Sequence, residues 1–322
     1  DSLNINGILG GRTTVAGADW AVNSTNANDG PITAYDAYVD STPTAFGTAT
    51  TDNSTIVTDT TTSGAATINS IRFNDPAAHT VSLGGTLTLS SGGLLVTSNV
   101  GANDNLITGG TIAGGGLTVH QHNAAGTLTV NSIVAGSALT KSGPGTLVLG
   151  GGSANTFTGG AHVTGGELLL SKAGGTAAIP AAIALNIYQS GVVRYLANDQ
   201  IGTGAINIYE SGQLDFNGAS DTVGNLAIYS TGANADTTPI TNTAGGGGLT
   251  VTALTLTPQT GYNTRIDTGT GSLTLGGNVA FTAAGSGTAQ ISGNLGMGAA
   301  TRMFTVNDGQ AATDMTIDAA VS

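Results

Sequence analysis

Apolar residues return at near-constant intervals along the middle of this chain. Ten of them follow one another about every 20 residues: Ile68, Leu87, Leu106, Leu128, Leu147, Leu168, Ile187, Ile208, Ile228 and Leu249. A repeat of this length with no helix-forming composition around it is typical of a solenoid, whose units bury their apolar edges against one another. The spacing therefore predicts stacked β-strands rather than a globular core.

The clearest copies of the repeat lie between Leu185 and Tyr229. Asn186-Ile187-Tyr188 returns one repeat later as Asn207-Ile208-Tyr209, and Ala227-Ile228-Tyr229 follows. Apolar and polar positions alternate within each copy, so we expect the isoleucines to point inward and the tyrosines outward. Arg194 and Asp215 are separated by the same interval as Tyr188 and Tyr209. If the copies stack in register, these two charged side chains should meet as an ion pair.

The direction of the copies predicts the fold class. Segments that return in the same orientation cannot be joined by simple hairpins, because a hairpin reverses the chain. We therefore expect an all-β fold, a right-handed parallel β-helix that is a single-stranded solenoid of about 20 residues per coil. This β-helix should occupy residues 66–322 and continue beyond them. Residues 1–65 lack the repeat, and we expect irregular β structure and loops there.

Composition excludes several classes of function. The 322 residues include 52 Gly, no Cys, 7 basic and 19 acidic residues, for a formal net charge of −12. A nucleic-acid partner is not expected, because binding phosphates requires clustered Lys and Arg. Without Cys there are no disulfides or thiolate metal sites. No apolar run approaches the roughly 18 residues that span a bilayer, so direct membrane insertion is not expected either.

Few residues are arranged for chemistry. His120 and His122 would lie on the same face of a strand, which could chelate a metal, but exposed polar positions are the simpler interpretation. The two carboxylates of a catalytic acid/base pair face each other, whereas Glu210 and Asp215 should flank a turn. Nucleotide-binding loops and nucleophile elbows are missing despite the abundance of Gly. We therefore expect no enzymatic activity, no catalytic residues, no metal and no cofactor.

The best candidate for a binding surface is an outward tyrosine ladder. Tyr188, Tyr209 and Tyr229 would stack about 5 Å apart if successive coils are in register. Such a ladder could hold a sugar ring or pack against a neighbouring molecule. The alternative interpretation is ordinary β-propensity of tyrosine on a solvated face.

One segment resembles a known family. Residues 139–151, with Lys141-Ser142-Gly143-Pro144-Gly145, are followed by Asn155-Thr156-Phe157-Thr158-Gly159-Gly160 and by a Leu-rich strand that ends at Leu170. In this order and spacing they resemble the autotransporter-associated β-strand repeat over residues 139 to 170. The resemblance implies a secreted or surface-displayed bacterial β-helix of the passenger or adhesin type, and it implies no catalytic residues.

Three functions remain open from the sequence. The first is a structural or adhesive extracellular surface protein, or the subunit of a filament or sheath, that acts as a protease-resistant rod. Its partners would be other copies of itself, end-to-end or lateral, or surface glycans. The second is a carbohydrate-binding or lyase-like β-helix, which would need a groove lined by carboxylates or aromatic residues. The third is a passive spacer between other domains.

Overall fold

The computed structural model describes residues 3–26, 30–230 and 236–322. Within these ranges the chain is β-structure, and one 3-10 turn at Ser98–Val100 is the only helical segment. The chain divides into two compact units, residues 1–159 and 160–322. No helix in the described ranges is long and apolar enough to cross a lipid bilayer.

The strands are short and follow one another closely in both units. The first unit contains β1 (Thr14–Val15), β2 (Asp19–Asn23), β3 (Ile32–Ala34), β4 (Val39–Asp40), β5 (Asn53–Ile56), β6 (Thr60–Thr62), β7 (Ala66–Phe73), β8 (Thr80–Val96), β9 (Asn105–Gly114), β10 (Leu117–Gln121), β11 (Thr127–Val130), β12 (Ile133–Val134), β13 (Leu139–Ser142) and β14 (Thr146–Gly151). The second contains β15 (Ala161–Val163), β16 (Gly166–Lys172), β17 (Leu185–Ile187), β18 (Gly191–Tyr195), β19 (Ile206–Tyr209), β20 (Gln213–Asp215), β21 (Ser220–Tyr229), β22 (Asp236–Thr241), β23 (Gly248–Leu256), β24 (Asn263–Asp267), β25 (Ser272–Leu275), β26 (Val279–Thr282), β27 (Thr288–Ser292), β28 (Asn294–Gly296), β29 (Phe304–Asn307), β30 (Met315–Ile317) and β31 (Ala320–Val321).

From β4 onward, strands pair in parallel with strands one coil later. In the second unit β17 pairs with β19, and β19 pairs with β21, in continuous register. The predicted fold class is confirmed: the protein is an all-β parallel β-solenoid of about 11 turns with about 24 residues per turn. A turn is thus longer on average than the spacing of apolar residues predicts.

Coil length varies because the corners absorb different numbers of residues. Asn53 pairs with Ser70 across a short coil, whereas Ser220 pairs with Gly248 across a much longer one. The interval between apolar residues therefore corresponds to a true coil only in places. Ile187, Ile208 and Ile228 do stack on one another.

Other members of the apolar series do not stack on the next member. Ile68 pairs with Leu89 and not with Leu87. Leu106 lies between Thr80 and Thr129 and is partly exposed, so it does not belong to the core. The near-constant interval between apolar residues arises because each coil contains several inward apolar positions. The series takes its members from different strands in neighbouring coils.

The core is built by strand alternation. In β17 and β19, Leu185, Ile187, Ile206 and Ile208 are fully buried, as predicted. Tyr195, in β18, is also fully buried in the core. In these coils the buried apolar residues lie over one another and form aliphatic stacks. Their burial stabilises the fold by about 0.8 kcal/mol for each CH₂ group removed from water.

Residues upstream of β4 form a separate layer, which we call the N-terminal arm (residues 3–26 and 30–38). Strands β1, β2 and β3 pair with one another in an antiparallel sheet and do not pair with the solenoid strands. Parallel pairing begins at Val39, upstream of the boundary at residue 65 that the repeat suggests.

The loop of residues 41–52 covers the first coil. Phe46 is 2% exposed and fills the space at this end of the core. The amide of Thr61 donates to the carbonyl of Pro43 at 2.8 Å, so the loop also satisfies part of the outer edge of β6. Asp52 holds the loop closed by accepting from the amides of Thr48 and Ala49.

Gly92 illustrates how tightly the corners are packed. Its φ is +71°, and a Cβ at this position would lie 1.9 Å from the carbonyl oxygen of Gly116 on the next coil. We predict that Gly92→Ala lowers the free energy of unfolding by about 3 kcal/mol, because both backbone strain and overpacking result.

Gly115→Ala is the matched control. Gly115 is exposed, does not have a positive φ and has no atom within 4 Å of a built Cβ. Chemical denaturation followed by circular dichroism should show a change within about 0.5 kcal/mol for this variant. Equal destabilisation of the two variants would contradict the packing argument.

Candidate interaction surface

The predicted tyrosines lie at equivalent positions on one outer face of the second unit. Tyr188 directly follows β17, Tyr209 ends β19 and Tyr229 ends β21. After each of the first two tyrosines the chain turns with a positive φ, at Gln189 (48°) and Glu210 (57°). The two copies of the sequence therefore fold into the same corner and present their tyrosines in the same direction.

The three rings form a parallel stack. Ring centroids are 4.8 Å apart for Tyr188–Tyr209 and 5.0 Å apart for Tyr209–Tyr229, with interplanar angles of 7° and 10°. The predicted stacking is confirmed, whereas its role in binding stays a prediction. Burial, and then the neighbouring phenol groups of Tyr188 and Tyr229, raise the pKa of the Tyr209 hydroxyl.

His162 extends the stack by one ring, which the sequence analysis missed. Its imidazole lies 6.2 Å from the Tyr188 ring at an angle of 20°. In the ladder, however, His162 is in register with Asn186 and not with Tyr188. The sequence contains one signal for this neighbour, the similar alternation of Ala161-His162-Val163 and Leu185-Asn186-Ile187. These two segments pair in the structure, but the coil between them is longer than the interval between the tyrosines. Burial lowers the pKa of His162.

An asparagine pair runs beside the tyrosines. Asn207 donates through Nδ2 to Oδ1 of Asn186 at 3.0 Å. Amide ladders of this kind join identical side chains on stacked strands. The outer face of these coils therefore consists of two neighbouring columns, one of phenols and one of amides.

The predicted ion pair is present. Arg194 Nε lies 3.0 Å from Asp215 Oδ2, and Arg194 Nη1 lies 3.4 Å from Glu167. Asp215 is 2% exposed and also accepts hydrogen bonds from the amides of Asn217 and Thr243 and from the Thr243 hydroxyl at 2.6 Å. Since these donors bind its carboxylate, Asp215 anchors a corner and does not face Glu210 as an acid/base partner.

The expectation that His120 and His122 are exposed polar positions is wrong for His120, which is 8% exposed because Trp20 of the N-terminal arm packs against it. His122 is half-buried. The third histidine of the first unit, His79, lies apart from this pair, with its Nε2 2.9 Å from Asp75 Oδ2. In the part of the chain that the structure describes, no group of three or more His, Asp or Glu side chains is placed to hold a metal ion.

One polar groove in the second unit contains two carboxylates. The groove has a volume of about 420 Å³ and is lined by Asp199, Asp221 and several hydroxyl side chains of β21, β23 and β25. Both Asp221 oxygens accept backbone hydrogen bonds, from Ile201 and Thr222. Burial raises the pKa of Asp221.

The motif around Lys141 has a structural explanation. Lys141 is fully buried, and its Nζ donates to the carbonyls of Ser142 and Gly143 at 3.2 and 2.8 Å. A Cβ on Gly145 would lie 2.0 Å from the carbonyl oxygen of Asn123, so this position requires glycine.

The second half of the motif also serves the solenoid. Asn155 accepts a hydrogen bond from the amide of Val134 at 2.9 Å, and Phe157 is 1% exposed. Lys141, Gly145, Asn155 and Phe157 thus each fix a corner or fill the core.

Comparison with known proteins agrees with this architecture. Residues 139–170 match the family model described as passenger-associated-transport-repeat. These residues are therefore similar to a passenger-associated transport repeat. Together with the β-solenoid, the repeat confirms the resemblance to an autotransporter passenger-like β-helix. The match covers about a tenth of the chain, and no curated protein or solved structure gave a match.

The corner that Asp215 anchors through Asn217 and Thr243 can be tested by removing the carboxylate charge. We predict that Asp215→Asn lowers the free energy of unfolding by about 2 kcal/mol, because a buried charge-assisted network loses its acceptor charge.

Glu167→Gln is the control, since Glu167 contacts the same arginine from a more exposed position. Its effect should stay below about 0.5 kcal/mol. Urea denaturation of the two variants measures both values, and equal effects would show that Asp215 contributes only a surface ion pair.

Proposed function

We propose that this chain is a structural or adhesive part of a secreted bacterial surface protein and has no catalytic activity. The observation that carries the proposal is the passenger-associated transport repeat within a parallel β-solenoid. Proteins with this repeat and fold resemble autotransporter passengers, so we place this chain outside the cell or on the cell surface. We propose no cofactor, no nucleic-acid partner and no direct membrane insertion.

Resistance to proteases would suit this location. The sequence has only seven Lys and Arg residues. Lys141 and Lys172 are 0% and 1% exposed, and Arg265 lies in β24, which pairs with strands on both sides. Because a protease needs several residues of extended, accessible backbone, paired strands are poor substrates.

Limited digestion with trypsin tests this resistance. We expect the first cleavages after Arg12, which is exposed in a turn of the arm, and after Arg302, which lies between β28 and β29, with slow cleavage elsewhere. Mass spectrometry of the fragments identifies each site. Digestion in urea is the control and should open Lys141 and Lys172 to cleavage. Early cleavage at either lysine without urea would contradict the proposed resistance.

The first coil favours lateral association of copies over end-to-end association. The loop of residues 41–52 lies over part of this coil and buries Phe46, so another copy could add over that part only by displacing the loop. The outer faces carry no such cover along the tyrosine stack, where Tyr188, Tyr209 and Tyr229 are all partly exposed.

The stack is better suited to packing against a protein face than to holding a sugar. A sugar ring inserted between two aromatic rings would need about 7 Å, twice the usual contact distance. The spacings of 4.8 and 5.0 Å leave no such space, so the ring edges are the surface that a partner can contact. We therefore propose the edges of these rings as the contact surface for a second copy.

Removal of the rings tests the contact. We expect Tyr209→Ala to weaken self-association at least tenfold in analytical ultracentrifugation, since an aromatic residue at the centre of an interface contributes about 2 kcal/mol. Tyr262→Ala, a partly exposed tyrosine outside the stack, should leave association unchanged. Uniform monomers of the wild-type chain at high concentration would contradict the proposal and leave the spacer role.

A carbohydrate-binding role is the second candidate, and the groove of Asp199 and Asp221 is the observation that favours it. Carboxylates and hydroxyl groups commonly hydrogen-bond sugars. A glycan array measures this directly, and a signal lost in Asp221→Ala but kept in Tyr209→Ala would place the sugar in the groove.

A further inference from the structure

The N-terminal arm lies on an outer column of the first unit. Arg72, Leu95 and His120 occupy equivalent positions on β7, β8 and β10 and stack in register. Leu95 points outward from the solenoid and is nevertheless fully buried, because Ile8 and Trp20 of the arm cover it. The arm thus turns an outer face of the solenoid into an interface.

The two ends of this column hold the arm in different ways. At one end Arg72 forms an ion pair with Asp19, and its guanidinium carbon lies 3.4 Å from the centre of the Tyr38 ring. At the other end the contacts involve imidazoles. His120 lies edge-on to Trp20, with centroids 5.8 Å apart, and its Nε2 is 3.2 Å from the carbonyl oxygen of Gly11.

His122 continues the imidazole end of the interface. Its ring lies parallel to that of His120 at 6.0 Å. It also packs against the turn between β1 and β2, where a Cβ on Gly17 would lie 2.7 Å from the ring. His120 is therefore buried, and His122 half-buried, between the solenoid and the arm.

The groups around the imidazoles do not favour positive charge. His120 faces Trp20 and Gly11 from the arm, Ser142 from β13 at 2.8 Å, and His122 from its own strand. The Lys141 cation acts on both imidazoles and lowers the pKa of each. Among residues 3–26, 30–230 and 236–322, neither imidazole has a carboxylate within ion-pair distance.

The interface also leaves two polar atoms without compensation. Within the described ranges, Trp20 Nε1 and His122 Nε2 are buried and have no hydrogen-bond partner. Each buried donor or acceptor without a partner weakens the docked state relative to one in water. No backbone ladder holds the arm at this end, because its strands do not pair with the solenoid strands.

We propose that the N-terminal arm is a latch that acid releases, because protonation of His120 and His122 places positive charge at an end of the interface where no carboxylate lies close enough to receive it. Release exposes Trp20 and Leu95 and leaves the parallel ladder intact. The device is separate from the tyrosine stack of the second unit and does not depend on the proposed function.

The direction of the pH effect follows from proton binding. Burial, partly offset by the Gly11 carbonyl, lowers the pKa of His120 from 6.5 to about 4. Burial, and then Lys141, lower the pKa of His122. The docked arm therefore binds fewer protons than the released arm. Docking is strongest above pH 6.5 and weakens as the pH falls, by about 160-fold at pH 4 for His120 alone.

Trp20 reports the state of the arm, because it is the only tryptophan in the chain. In a titration of the full chain from about pH 8 to pH 4, we expect its emission to move reversibly to longer wavelength, with a midpoint below the ordinary histidine pKa. Accessibility to acrylamide should rise together with this shift. Far-UV circular dichroism should stay constant, since the solenoid remains folded.

Variants separate the latch from general acid unfolding. His120→Gln with His122→Gln should abolish the transition, whereas His162→Gln, a histidine of the second unit, should keep it. Arg72→Met loosens the other end of the arm, so its transition should occur at higher pH. Each variant is first checked by circular dichroism at neutral pH, and His122→Gln alone serves if the double variant misfolds, with a smaller transition expected.

Three results would overturn the latch. The first is an unchanged Trp20 emission down to about pH 4, where the lowered pKa of His120 is reached. The second is an identical transition in the wild type and in the histidine variants. The third is loss of the circular dichroism signal together with the fluorescence change, which would mean that the whole unit unfolds.

Discussion

The backbone ladder between successive coils is the constraint on which the other features depend. Parallel strands are held about 4.8 Å apart by their hydrogen bonds, so each side chain lies over the side chain at the same position of the next coil. The ring spacings of 4.8 and 5.0 Å in the tyrosine stack match this distance between strands. The same registration brings Arg194 over Asp215 and makes continuous aliphatic stacks of the interior. Side-chain chemistry on the surface is therefore arranged in columns along the coils.

Much of the second unit could be predicted from the sequence where coil length is constant. Between Leu185 and Tyr229 successive coils have nearly the same length, so a sequence interval translates directly into a spatial neighbour. The inward isoleucines, the ion pair and the stacked tyrosines were all predictable for that reason. The passenger-type motif was recognisable because Lys141, Gly145 and Phe157 each meet a steric or polar requirement of a corner.

The contacts of the N-terminal arm and of the loop over the first coil were not predictable, because they join distant parts of the sequence without a repeat. Gly11 meets His120 across 109 positions, and no periodic signal marks such a contact. Outward positions on a strand are expected to be solvated, so burial of Leu95 and His120 requires knowledge of what covers them. Corner lengths were equally inaccessible, because short and long pairing intervals give the same ladder.

The variable corners have a consequence for how such a chain can change over generations. Residues inserted at a corner bulge outward, and a deletion shortens the corner. Both changes can leave the paired strands above and below undisturbed. Lineages of this fold can therefore change in length at the loosely packed corners while keeping the same architecture, and their sequences become difficult to align although the folds stay similar. Recognisable kinship would then survive mainly in stretches such as residues 139–170, where buried cationic and glycine positions tolerate little replacement.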